Sequence, residues 1–136
     1  MARIVLTDAF VSVGGVDLSD RVASVTLNST FDVVETTAFS STAVKTRVAG
    51  LADNSVTLEF HQDYATSEVE QTIYPLLGTA AAVVVKPNGA STSAFNPSYT
   101  CSAIIAEWTP INGSVGELAT ASVTWPITGA ITKAVV

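Results

Sequence analysis

The chain holds one cysteine, one histidine and one methionine in 136 residues, and its lysines and arginines number only six. A lone cysteine cannot close an intramolecular disulfide, so Cys101 reads as a small core residue on a strand. One His and one Cys do not make a zinc set, and no base stands beside a serine or the thiol for nucleophilic catalysis. His61 accordingly reads as an ordinary surface or interface side chain. Asp17 and Asp20 flank a turn without a calcium-loop spacing, and turn formation by their side chains is the stronger account. Phosphate loops, dinucleotide fingerprints and nucleophile elbows are missing, so neither enzyme activity nor a cofactor is expected. Six scattered cations and a pI near 4.4 give no electrostatic footprint for gripping nucleic acid. Long apolar runs are missing too. The longest, Ala80 to Val85, is too short to span a bilayer, and the apolar N-terminal stretch is broken by Asp8, against a signal peptide.

Charge is also scarce, at 13% of residues, about half the usual globular share. Hydroxyls carry the polarity instead, with 18 Thr and 14 Ser, and together with 19 Val they form the vocabulary of pleated sheet. Low charge with many small polar groups also suits a surface covered by copies of itself, because charged residues are depleted at the cores of interfaces.

Period-2 alternation and turn punctuation run along most of the chain. Phe10 to Leu18 reads as a tight hairpin turning at Gly14-Gly15. Val22, Val25 and Leu27 suggest the next strand, irregular at Ala23. From Phe31 to Leu51 the apolar face is lost, which predicts a long loop that orders against a neighbour. Asn54 to His61 alternates cleanly. Ser67-Glu68-Val69-Glu70 reads as a capping box opening a helix of two to three turns, ended near Tyr74 by Pro75 and closed by Gly78. Ala80 to Lys86 suits a strand covered on both faces, and Ala90 to Pro97 a small-residue loop. Tyr99 to Thr109 is the longest strand candidate, and Leu118 to Trp125 pairs with it as a meander. Pro126 argues that this last strand ends there or lies at an edge. Ile127 to Val136 is apolar and reads as an arm lying on the domain or on another subunit. With no repeat and no linker, 1–136 is expected to be one domain. It is mainly antiparallel β, a β-sandwich or flattened antiparallel barrel, with one α-helix packed on it.

The order of features carries a resemblance. The glycine hairpin in VSVGGVDLSDRVASVTL, the Thr-rich segment leading to TRVAGLADNSVTLEFHQDY, the helix SEVEQTIYPLLG and the closing meander GELATASVTWPITG resemble the major tail tube protein of long-tailed, non-contractile bacteriophages, particularly those of actinobacterial hosts. The resemblance covers about Phe10 to Gly129. It implies a tail-tube-like fold and a structural virion protein in the phage tail, assembled in the host cytoplasm. Six subunits would form a ring, with one sheet from each joined around a channel. Rings would stack into a hollow tube together with other tail proteins, and DNA would pass through without specific binding. No membrane partner is implied. The loop reaching the adjacent ring would be 31–51, with Phe31, Val33, Val34, Glu35, Thr37, Phe39, Lys45 and Arg47 as its candidate contacts. The C-terminal arm, 127–136, would contact neighbours through Ile127, Ile131 and Val135, and Met1 to Ala9 would bridge subunits in the same way.

A channel for DNA gains nothing from phosphate contacts, which would hold the polyanion and slow its passage. Asp32, Glu35, Glu59 and Glu107 are the candidates for a negative lumen, with a solvated outer-surface charge as the alternative for each. Two other classes remain beside the one the resemblance implies. One is a tail terminator or head-tail joining protein of related fold. The other is a monomeric β-sandwich binding module using Trp108, Trp125 or Tyr99 as an exposed platform, although alternating apolar neighbours favour core packing for these aromatics.

Overall fold

In a computed structural model the described residues are 3–39 and 42–136. Met1 and Ala2 of the expected N-terminal arm, and Ser40 and Ser41 within the expected loop, lie outside them. The described residues form seven antiparallel strands: β1 (Phe10–Val13), β2 (Val16–Asp17), β3 (Val22–Glu35), β4 (Arg47–His61), β5 (Ala80–Lys86), β6 (Ser98–Ile104) and β7 (Thr120–Ala134). They form one sheet in the order β2-β1-β5-β6-β7-β4-β3. The short helix α1 (Val69–Ile73) runs into a 3-10 turn at Tyr74–Leu76.

The sheet curls until its two edges approach. Ser19 after β2 hydrogen-bonds the backbone of Val11, and the residues around it share a groove with Val22 to Val25 at the start of β3. The result is a flattened barrel with an open seam, within the fold class expected from the sequence. Its inward residues alternate as the pleat requires: Val56, Leu58 and Phe60 on β4; Val123, Trp125 and Ile127 on β7; Cys101 and Ala103 on β6; Val11 and Val13 on β1. α1 plugs this core with Val69 and Ile73, both fully buried. Phe60 lies tilted against Trp125 and meets Trp108 edge-on at 5.7 Å between ring centroids.

Local chemistry explains most boundaries. Gly14 and Gly15 both take positive φ, which the two-residue turn between β1 and β2 requires. The irregularity at Ala23 is a register shift between Val22 and Ser24. α1 stops at Ile73, just ahead of Pro75, as expected, but it is five residues long, under two turns, and the expected two to three turns are reached only with the 3-10 turn that follows.

Several expectations are corrected. The segment 31–51 is not an irregular loop. Phe31 to Glu35 and Arg47 to Leu51 are the outer parts of β3 and β4, paired down to Glu35↔Arg47 and zipped further by Thr36 and Thr46, whose hydroxyls lie 2.9 Å apart. This ribbon has no core beneath it, so nothing imposes an apolar face and the alternation disappears. The strand reading of Tyr99 to Thr109 is too long. β6 stops at Ile104, and Ile105 then pairs its backbone with Thr79. β5 is not covered on both faces, since Ala80 and Ala82 are exposed while Ala81 and Val83 are buried.

Pro126 ends nothing, because β7 continues to Ala134 in the middle of the sheet. The N–H of Thr124 goes to Glu107 Oε1 at 2.8 Å, on the side from which β6 approaches. Two residues on, Pro126 faces the same side, and the β6 ladder reaches only to Ala103↔Ile127. The missing donor therefore falls where no acceptor waits, while β4 pairs alongside through Ser55↔Pro126. For the same reason 127–134 lies on its own domain, one of the two placements expected for 127–136. Ile127 is buried in its own core, Ile131 packs against it, and Ser98↔Ala134 closes the ladder, leaving Val135 and Val136 beyond. The capping box is absent as well: Ser67 sits at φ 63°, Glu68 precedes the helix, and no side chain caps it.

Candidate assembly surfaces

Three features remain once the core is accounted for: a projecting hairpin, a polar outer face and an uneven distribution of charge. The hairpin leaves the sheet at a fork. β7 accompanies β4 only as far as Asn54↔Ile127, then kinks at Gly129 (φ 86°) through a register shift and follows β6 alone. Asn54, buried at the fork, ties the three strands together. Its Oδ1 accepts from Ser29 Oγ at 2.6 Å, and its Nδ2 donates to the Gly129 carbonyl at 3.1 Å. Beyond it β3 and β4 run on as a two-stranded ribbon for roughly 20 Å at the usual rise per residue.

The ribbon carries apolar side chains into solvent. Phe31, Val33, Val34, Phe39, Val44, Val48 and Leu51 are all exposed, Phe39 completely. Of the expected contact residues on this segment, Glu35, Thr37, Lys45 and Arg47 are exposed too, so the structure brings the whole candidate set onto one projection. The C-terminal candidates divide differently. Ile127 and Ile131 serve the chain's own core, and Val135 is partly exposed. At the N-terminus Ile4, Val5 and Leu6 are exposed along an irregular segment.

The outer face of β3, β4, β7 and β6 is a field of small polar groups. Ser24, Thr26 and Asn28 stand beside Thr57 and Glu59, then Ser122 and Thr124, then Thr100 and Ser102. Thr57 and Thr124 hydroxyls are 3.2 Å apart across the strands. Asp53 and Glu59 are the acids at outward positions of β4. The four lumen candidates therefore lie apart: Asp32 and Glu35 on the ribbon, Glu59 on this face, and Glu107 at its margin, holding the Thr124 N–H while its carbonyl accepts from Trp125 Nε1 at 2.9 Å. The aromatic-platform alternative finds no surface here. Trp125 is fully buried, Trp108 packs on Phe60, and Tyr99 lies half-buried under Lys133.

The register sets the two ends of the molecule. The hairpin tip, the turn between β5 and β6, the start of β1 and the C-terminus share one end. α1, the segment 62–68, the loop 105–119 and the 3-10 turn Ser19–Arg21 share the other. At the helix end lie Asp20, Glu59, Asp63, Glu68, Glu70, Glu107 and Glu117, with Arg21 the one cation there among the described residues. At the hairpin end Lys45, Arg47, Lys86 and Lys133 balance Asp8, Asp32, Glu35 and Asp53. Asp17 lies between the two ends on the edge strand β2, where its carboxylate accepts from Ser19 as expected of a turn former, and Arg3 belongs to the N-terminal segment. The formal charge of -6 thus resides at the helix end.

Part of that acidity is structural. Arg21 Nε donates to Asp63 at 2.8 Å and lies 3.8 Å from Glu68. The Ala65 N–H and the Arg21 guanidinium hold the Asp63 carboxyl below the ordinary aspartate range, and Asp63 in turn raises Arg21. Glu70, expected to reach back to the helix start, instead accepts from Trp108 Nε1 at 2.6 Å and Gln62 Nε2 at 3.3 Å. That network anchors the loop 105–119. Neither its partners nor the Asn54 clamp carries a local sequence signal, because each joins residues far apart in the chain. Burial raises the Cys101 thiol. Among the described residues no three of His, Cys, Asp and Glu gather as a metal site, and no helix is long and apolar enough to cross a membrane.

No protein-family model and no curated protein matches the sequence. Solved structures do match, across nearly the whole chain. A chain in the virion of a native gene transfer agent particle superposes with TM-score 0.73 at 12% identity, over 93% of this chain and 95% of that one. A chain of the sheath-tube complex of an extracellular contractile injection system, PVC, in its extended state, gives TM-score 0.69 at 13% identity over 98% and 93%. A chain in the tail of an empty gene transfer agent particle, refined helically with C6 symmetry, gives 0.58 at 14% identity over 82% and 81%. At these identities the likeness is one of fold, the curled antiparallel sheet shared with chains of tail and injection-system particles.

Proposed function

We propose that this protein is a structural subunit of a phage-type tail, a tail tube protein that assembles into rings of six stacked as a hollow tube. One observation carries the reading: a fold like that of chains from tail and sheath-tube particles bears a solvent-projecting ribbon whose large apolar side chains stand exposed. Such a ribbon is a liability for a monomer and an asset for a polymer. Rings arise when a heterologous contact closes, and an additional axial contact extends them into a filament. Six-fold symmetry is supported by the C6 particle that the chain resembles. The hydroxyl-rich outer face, acidic where charged, suits a lumen that lets DNA slide without holding it. The role is non-enzymatic, its partners are copies of itself and other tail proteins, and its place is the virion after assembly in the host cytoplasm. The resemblance in sequence pattern favours the long-tailed, non-contractile type.

Negative-stain electron microscopy of the purified protein tests this. Tubes of stacked rings, without any outer sheath, are the expected result. Isolated rings that never stack would point to a terminator or joining protein instead. A monomer that persists even with its tail partners present would overturn the proposal.

A further inference from the structure

The fork at Asn54 opens the barrel at one end. Where β7 leaves β4 to follow β6, the inward face of β3 parts from that of the β6–β7 pair. A cavity of about 490 Å³ lies there, walled by Val25 and Leu27 of β3, Val85 of β5, Tyr99 of β6, and Ile131 and Lys133 of β7. Leu6 of the N-terminal segment borders it. Val25, Leu27, Val85 and Ile131 are half-buried and pack on the core, so the cavity is an unfilled part of the barrel interior that reaches the surface. Its size falls within the range of about 300–1,000 Å³ usual for small-molecule pockets, and the mouth of a small barrel is a common place for one.

Charge singles out the ligand. Two of the chain's six cations, Lys86 and Lys133, line the cavity, and none of its twelve aspartates and glutamates does. The acids nearby turn elsewhere: Asp8 faces Gly89 and the neighbouring groove, and Asp53 stands at an outward position of β4. Lys86 Nζ is engaged, donating to the Ala90 carbonyl at 3.0 Å and lying 4.6 Å from the centroid of the Phe10 ring. Lys133 pairs across the strands with Tyr99, which alternates with the inward Cys101 and Ala103, and its Nζ lies 6.0 Å from the Tyr99 ring centroid. Among the described residues that ammonium has neither an ion pair nor a hydrogen bond. An apolar hole with an unpaired ammonium at its rim suits a hydrocarbon tail that ends in an anion. A neutral head leaves the ammonium without a counter-charge, and a cationic head meets a like charge.

We infer that this barrel mouth binds a medium-chain fatty acid, its tail against Leu27, Val85 and Ile131 and its carboxylate on Lys133 Nζ. The site is built within one subunit, so it goes beyond the tube reading and does not depend on it. Isothermal titration calorimetry of the purified chain tests it, with every amphiphile below its micelle concentration. Dodecanoate is expected to bind with one molecule per subunit, at least about tenfold more tightly than dodecyltrimethylammonium, which carries the same tail on a cationic head. From octanoate to dodecanoate the affinity should rise about threefold per added methylene. The variant K133M keeps an apolar stem at the rim. It should retain the wild-type melting temperature, bind dodecanoate about tenfold more weakly and lose the preference for the anion. I131W fills the cavity and should abolish binding; if it does not fold, K133M decides the matter alone. Equal affinity for the two head groups, dodecanoate binding that K133M leaves unchanged, or no binding at all would overturn the inference while leaving any tube intact.

Discussion

Asn54 shows how one polar side chain fixes a boundary in this sheet. It sits where β7 parts from β4, almost fully buried, and satisfies both Ser29 and the Gly129 carbonyl. Replacing it with Ala removes both hydrogen bonds, a loss of about 1–3 kcal/mol read as a lower urea midpoint. An unchanged midpoint would show that the clamp is idle. Asp63 acts through its ionisation. Its folded-state pKa is depressed by the Ala65 N–H and Arg21, so the unfolded chain binds the proton more readily. The stabilisation is complete above the unfolded aspartate pKa of about 3.9 and is lost as pH falls through the lower folded value. The variant D63N should therefore show a shallower decline of melting temperature below about pH 4 than wild type. Parallel acid limbs would exclude the effect.

At the scale of elements, the sequence was readable where strict alternation followed one face of a strand onto the core, as in the inner half of β4 and the start of β7. Val56, Leu58 and Phe60 alternate because β4 covers the barrel there, and Gly14-Gly15 announces its turn through φ angles that other residues resist. The same strand becomes illegible from Arg47 to Asp53, where both faces are wet and no burial selects a period. Pro126 misled for a related reason: whether a strand tolerates proline depends on where its neighbour ends, and β6 ends through contacts with Thr79 that are distant in sequence. The Ser67 to Glu70 pattern was consistent with a cap, yet Glu70 was drawn to Trp108 and Gln62, which only the folded chain brings near. Since the ribbon contributes nothing to the core, replacing 38–45 by Asn-Gly should leave the melting temperature of the isolated subunit within about 3 °C of wild type, consistent with loss of no buried apolar area. The same variant should fail to stack. A collapse in folding would mean that the ribbon supports the barrel after all.

For the whole molecule, composition foretold a hydroxyl-rich β protein with an acidic balance, and the structure places that balance unevenly. The excess charge is gathered at the helix end, while the broad outer face carries little besides Asp53 and Glu59. If that face lines the channel, lysines at these two positions would convert a sliding surface into a binding one, since each phosphate contact releases counterions. Virions carrying D53K/E59K should eject DNA more slowly, and more so at low salt. Ejection at the wild-type rate from intact variant tails would remove this face from the lumen.

The fork at Asn54 also has a mechanical meaning. Past that residue the ribbon is a cantilever, two strands thick, fixed at its root and backed by no third strand. If such ribbons are what join successive rings, bending of a tail is taken up by flexure of these slender connectors while each barrel keeps its shape. The stiffness of the tube would then be set by the length of a hairpin and not by the strength of the core.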